Sequence, residues 1–168
     1  MPSTPVTISQ ICSDDDAAIG GIIRKVGAEF GAVGEGFGPG DAEVSAMSRH
    51  YLPEDGACYL VAKLNGHVVG GGGIAPFNSD KGICELRKLF LLPESRGYGI
   101  GRSLLEQCLD FAVLTGYSAC YLDSLRSMET AIKLYERFGF QRLDAPMEGT
   151  PHNRCDVWML KSLLANND

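Results

Sequence analysis

The stretch that most restricts what this chain can fold into is Leu89-Phe90-Leu91-Leu92-Pro93-Glu94-Ser95-Arg96-Gly97-Tyr98-Gly99-Ile100-Gly101-Arg102. An apolar run over Ile83–Leu92 stops at Pro93, and a glycine-rich turn follows. From Gly99 to Leu114 apolar residues then recur at helical spacing, with Ile100, Leu104, Cys108 and Phe111 on one stripe. Strand, tight turn and helix in that order aim successive backbone N–H groups from the positive end of a helix, which suits a phosphate or pyrophosphate. Two familiar phosphate loops are excluded. A Walker loop needs Gly-Lys-Ser/Thr, which does not follow, and GxGxxG fails because Arg102 stands where the third glycine belongs.

The rest of the chain supplies elements around that turn. Thr7–Cys12 reads as a strand, and Ser13 with Asp14, Asp15 and Asp16 caps a helix running to about Phe30 on Ile19, Ile22, Ile23 and Val26. Capping accounts for these aspartates, so they are assigned no chemistry. Residues 31–40 hold five glycines and a proline, which predicts a mobile loop, either a substrate cover or a plain connector. A short helix is expected over Asp41–Tyr51. Cys58–Leu64, Asn65-Gly66 and His67–Ala75 form a hairpin signal, since Asn-Gly tolerates the two positive φ angles of a type I′ turn. Gly70–Gly73 weakens the second of these strands and permits close approach by a ligand or another backbone. Strand Ala119–Asp123, helix Met128–Phe138 and strand Asp156–Lys161 complete the order β-α-α-β-β-β-α-β-α-β, and a further short strand fits near Phe140–Leu143. The class is α/β (α+β), as one domain over residues 1–168.

Composition narrows the function. At 168 residues the chain buries about 70% of its unfolded surface without needing a staple. The net charge of −6 resides entirely in residues 1–80, which carry 4 basic and 10 acidic side chains. A nucleic-acid binder would show a basic patch instead. The six cysteines have no CxxC spacing, which speaks against a metal site and a disulfide framework and for buried free thiols in a reducing compartment. No apolar stretch is long enough for a membrane helix, and Met1-Pro2-Ser3-Thr4-Pro5 lacks the features of a signal peptide. The expectation is a cytoplasmic protein with no metal, no nucleic-acid partner and no membrane partner.

Two motifs then carry a resemblance. Arg96-Gly97-Tyr98-Gly99-Ile100-Gly101 is similar to the coenzyme A pyrophosphate motif of the GCN5-related N-acetyltransferase (GNAT) family. Downstream, Ala131-Ile132-Lys133-Leu134-Tyr135-Glu136-Arg137-Phe138-Gly139-Phe140 resembles the family's helix-and-GF motif, in the usual order and at about the usual distance. The resemblance implies a mixed, mostly antiparallel sheet of six or seven strands flanked by about four helices and splayed between the fourth and fifth strands. It implies acetyl-CoA as cosubstrate, held by Leu89, Phe90, Leu91 and the turn Arg96, Gly97, Tyr98, Gly99, Ile100, Gly101 and Arg102. The pantetheine arm would pair with the backbone of Leu89 and Leu91. A homodimer is left open.

Acetyl transfer to an amine must remove a proton from an ammonium whose pKa is about 10.4, which costs roughly 4.6 kcal/mol at pH 7, and must stabilise the leaving thiolate. Tyr135 matches the tyrosine that the family uses for the thiolate. Glu85, set in the apolar run Ile83-Cys84-Glu85-Leu86, is the first candidate base, because a carboxylate there is costly unless it faces a cleft or a partner. Asp123 matches a position where some relatives carry a base. Either could act through water, orient substrate, or pair with Arg87 or Arg126. Met128 stands where many relatives carry a cofactor-contacting asparagine. His152, in a His-x-x-Cys-Asp-x-Trp-Met segment similar to that of some bacterial relatives, could reach the acceptor, whereas Cys155 reads as packing. The implied activity is N-acetyl transfer from acetyl-CoA to a small amine or amino-acid-like acceptor. The alternatives are a protein N-terminus or lysine acceptor, and a non-catalytic acyl-CoA sensor.

Overall fold

Alternation along Cys58–Leu64 sends Cys58 and Leu60 to one side and Tyr59 and Val61 to the other, and both sides are buried. A strand of that kind must lie between two layers, and the computed structural model has that arrangement. It describes residues 5–164, so the expectation of a missing leader, which rests mainly on Met1–Thr4, lies outside the described residues. Among the described residues the seven strands are β1 Val6–Gln10, β2 Cys58–Leu64, β3 His67–Asn78, β4 Ile83–Leu91, β5 Ala119–Ser124, β6 Gln141–Arg142 and β7 Val157–Ser162. They form one sheet in the order β1-β2-β3-β4-β5-β7-β6, antiparallel except for β4 and β5. Helix α1 (Asp16–Glu29) covers one face, packed through Ile19, Ile23 and Val26. Helices α2 (Ile100–Thr115) and α3 (Glu129–Arg137) cover the other through Leu105, Cys108 and Ile132. None of these helices is long and apolar enough to cross a membrane.

The expected hairpin forms, with Asn65 at φ 53° and Gly66 at φ 81°. The expected splay is also present. β4 and β5 pair only over Ile83–Glu85 against Ala119–Tyr121 and separate beyond Glu85. All six cysteines are free, and Cys58, Cys84, Cys108 and Cys120 are buried.

One expectation needs correction. The helix over residues 41–51 is instead a 3₁₀ segment, Ala42–Arg49, broken at Ala46 (φ −150°, ψ 53°). Side chains from α1 capture its polar groups: Asp16 accepts from the Ser48 backbone N–H (2.8 Å) and hydroxyl (2.6 Å), and Arg24 donates to Ser45 (2.8 Å). Such bonds reward a shape other than an α-helix. The glycine-rich loop is anchored in its second half. Phe37 and Pro39 are buried, the Arg154 N–H donates to the Gly36 carbonyl (3.2 Å), and the Arg154 guanidinium lies over the Phe37 ring at 4.8 Å.

Candidate active site

The separation of β4 from β5 opens two connected spaces. The larger is a cleft of about 570 Å³ along the outer half of β4, between the N-terminal end of α2 and α3. Leu89, Phe90 and Leu91 form its floor, and Gly97, Gly99, Ile100, Gly101 and Arg102 form one rim. Arg96, Lys133 and Arg137 add positive charge. Gly99, at φ 75°, is the N-cap of α2, and a Cβ built on it meets nothing within 4 Å. The turn therefore presents open, cationic space to a phosphate, as backbone N–H groups at a helix start require. Tyr98 is more than half exposed beside it. Arg96 is not free, however. It donates to both carboxylate oxygens of Glu29 (2.7 and 3.0 Å) and to the Leu91 carbonyl (2.9 Å), and it lies over Phe30 at 5.4 Å. The guanidinium thus ties the turn to the end of α1.

The smaller space is a cavity of about 60 Å³ deeper in the splay. Phe90 and Met128 line both spaces, so Met128 contributes an apolar wall at the junction. The cavity is built by a distortion of β4. Gly71 and Gly73 of β3 leave room for Tyr59, whose ring atoms would lie 2.6 and 2.7 Å from a Cβ at those positions. The Tyr59 hydroxyl donates to the Lys88 carbonyl (2.7 Å), where the β3–β4 register shifts and Lys88 takes φ 51°. The close approach expected at the glycines is therefore made by protein. A bulge bends a strand and re-aims its side chains, and here Glu85, Arg87 and Lys88 all line one cavity.

Glu85 is 1% exposed. Burial raises its pKa above the ordinary carboxylate value, and the Arg87 guanidinium, donating at 2.5 Å, opposes that rise without cancelling it. Asp123 accepts from Tyr121 (2.5 Å) and from Thr150, and its Oδ2 lies 3.4 Å from His152 Nδ1. The other ring nitrogen, Nε2, is 2.8 Å from Asp41. Desolvation works against a charge on His152, but the Asp123 and Asp41 carboxylates outweigh it and lift its pKa to about 9. Burial also disfavours ionisation of Asp41, yet His152 and Lys88 hold its carboxyl below the usual range. Cys155 lines the cavity with its thiol pushed up to about 12 by desolvation and the surrounding carboxylates, so it stays protonated.

Glu85, Asp123 and His152 are thus brought together. The nearest ligating atoms of the three lie within 4.8 Å of one another. Arg87 does pair with Glu85, whereas the Arg126 guanidinium lies 4.0 Å from Asp156, whose carboxylate also accepts from the Arg126 backbone N–H (2.8 Å). Tyr135 is set apart from both spaces. Its ring packs in the core edge-on to Phe140 at 5.8 Å, and burial raises the pKa of its phenol. Among the described residues its hydroxyl has no hydrogen-bond partner, and no fully buried polar side-chain atom lacks one, so the hydroxyl reaches the small exposed part of the ring. Asp41, Glu43, Lys88 and Thr150 were not anticipated as site residues. The available signal was Arg87-Lys88, two adjacent cations inside an apolar strand.

In sequence and in fold the chain is similar to known proteins. The model of the acetyltransferase (GNAT) family matches residues 32–140. An Escherichia coli protein named uncharacterized N-acetyltransferase YjgM is 37% identical over 164 residues, covering 96% of this chain and 97% of its own. N-acetylaspartate synthetase of Xenopus tropicalis is 35% identical over 101 residues, covering 60% of this chain and 37% of its own. A phosphinothricin acetyltransferase from Sinorhizobium meliloti, solved in complex with acetyl-CoA, superposes with a TM-score of 0.72 at 22% identity, covering 94% of this chain and 88% of that one.

Proposed function

Because the chain belongs to the GNAT acetyltransferase family, we propose that it works as a single domain that moves an acetyl group from acetyl-CoA to the primary amine of a small acceptor, by direct transfer in a ternary complex. The observation that carries this reading is the junction at Phe90 and Met128, where a cationic cleft suited to a pyrophosphate meets a cavity ending in a buried carboxylate. The relative solved with acetyl-CoA supports the same cosubstrate here. The cavity holds about 60 Å³ and is lined by the buried Phe37, Pro39 and His152, and a space that small favours a small acceptor over a protein lysine or N-terminus.

The chemistry follows from this arrangement. The amine nitrogen attacks the thioester carbon, the new C–N bond forms and the C–S bond breaks. An acceptor that arrives as an ammonium gives up two protons in all. Glu85 takes one, for which a raised pKa suits it near neutrality. The other proton goes to the leaving sulfur, so that the thiol departs neutral. Tyr135 is proposed to supply it and to recover the amine's second proton. That role requires its hydroxyl to turn toward the cleft, because Tyr135 lines neither space here and burial makes its phenol a weaker acid. Asp123, already held by Tyr121 and Thr150, fastens the 150–152 segment over the cavity.

Free thiol release from acetyl-CoA against a panel of small amines, amino acids and lysine peptides tests the reading. Turnover confined to small acceptors is expected. Turnover of peptides alone would move the assignment to a protein acetyltransferase, and acetyl-CoA binding with no turnover would favour a sensor. Tyr135→Phe should lower kcat by roughly 10²–10⁴-fold with KM for acetyl-CoA little changed. An unchanged kcat would leave Tyr135 a packing role.

A further inference from the structure

Around the small cavity, acidic and basic side chains alternate without a break. Glu85 meets Arg87 (2.5 Å), and Arg87 meets Glu43 (3.8 Å). Glu43 meets Lys88 (3.2 Å), Lys88 meets Asp41 (2.9 Å), Asp41 meets His152 (2.8 Å), and His152 meets Asp123 (3.4 Å). The chain of charges then almost closes, because Asp123 and Glu85 come within 4.8 Å of each other. Every cation touches two carboxylates, whereas the two end carboxylates each touch one cation. Both nitrogens of His152 face carboxylate oxygens, at 2.8 and 3.4 Å, an arrangement that favours the imidazolium. With every member ionised, the four anions and three cations are one positive charge short, at the gap between Glu85 and Asp123.

We propose that the acceptor's ammonium is the missing eighth member of this ring, and that the acceptors are therefore amines without a carboxylate on the amine-bearing carbon. The inference rests on the N-acetyltransferase reading above and narrows its acceptor. An ammonium seated at the gap lies beside Glu85, the group that then removes its proton. Among the described residues a carboxylate one carbon away finds no unpaired cation in the cavity, since Arg87, Lys88 and His152 each already meet two carboxylates. The remaining wall is uncharged and mostly apolar, with Phe37, Pro39, Phe90 and Met128, and its polar groups are the Ser124 hydroxyl, turned to Met128 Sδ at 3.7 Å, and the neutral Cys155 thiol. Arg154 is not part of that wall, and its guanidinium is stacked on Phe37. An unpaired carboxylate placed there is penalised twice, by desolvation and by two like charges.

Matched acceptors test this. With purified protein and acetyl-CoA, kcat/KM for ethylamine and ethanolamine should exceed that for alanine and serine by more than about tenfold, the effect of one unfavourable charge contact. Aspartate belongs in the series as the strongest contrary case, given the relative named N-acetylaspartate synthetase. Glu43→Gln makes the ring neutral at a point away from the gap and should shrink the amine preference by at least about threefold. Asp41→Asn makes the same change of one charge and replaces it if Glu43→Gln does not fold. Calorimetry of the same acceptors on protein saturated with coenzyme A reads the preference without chemistry. Equal or better use of the amino acids, or a preference unmoved by the ring substitutions, would overturn the proposal. Absence of turnover with every acceptor would overturn the transferase reading instead, while calorimetry would still judge the ring.

Discussion

Gly99→Glu abolishes acetyl-CoA binding, with an expected loss of at least about 100-fold in affinity by calorimetry. Position 99 is the N-cap of α2, and a side chain there points into open space on the rim of the large cleft. In the proposed binding mode a carboxylate at that point takes the pyrophosphate's place and repels its charge. The backbone adds a second effect, because φ is 75° and a non-glycine residue in that region costs roughly 1–2 kcal/mol. Gly99→Ala separates the two, since it carries the strain without the charge. The alanine variant should unfold at a lower temperature yet bind acetyl-CoA within about tenfold of the parent, as its methyl meets no neighbour. Near-normal affinity in folded Gly99→Glu would place the phosphates elsewhere and remove the main support for the cleft assignment.

The turn at Gly97–Gly101 was legible because its signal is local. Helix periodicity, Pro93 and the glycines all lie within a few residues of one another, and they force the same geometry whatever surrounds them. Asn65-Gly66 was readable for the same reason. The splay between β4 and β5 came from the resemblance rather than from the pattern of Ile83–Leu92, which would equally suit a fully paired strand. The charged ring was not legible because its members join over long separations. Asp41 and His152 are 111 positions apart. Lys88 reaches the cavity only because Tyr59, on another strand, fixes a bulge in β4. Alternation counted along β4 puts Glu85 and Lys88 on opposite faces, and the bulge brings them together. The 3₁₀ segment at Ala42–Arg49 was misjudged on the same ground, since Asp16 and Arg24 of α1 set its shape.

Glu85→Gln should remove the acidic limb from the pH profile of kcat/KM and lower kcat by roughly 10²–10⁴-fold, while acetyl-CoA affinity stays intact. The sign follows from the charge state that works. Glu85 must be a carboxylate to hold the ammonium and accept its proton, so activity falls as pH drops through its pKa. Burial raises that pKa above the ordinary value, and the limb should therefore sit at higher pH than an exposed glutamate gives. Arg87 pulls the other way through its 2.5 Å contact, so Arg87→Gln should move the limb to still higher pH. Glutamine keeps the shape and hydrogen-bonding reach of Glu85 and cannot take a proton, which separates this role from packing. Asp123→Asn provides the contrast, because Asp123 already accepts from Tyr121 and Thr150. Its loss should loosen the 150–152 segment and raise KM for the acceptor while leaving the limb in place. A limb that survives in Glu85→Gln and disappears in Asp123→Asn would make Asp123 the base. Survival in both would assign the limb to the acceptor's amine or to His152, and the buried glutamate would then be an anchor for Arg87 alone.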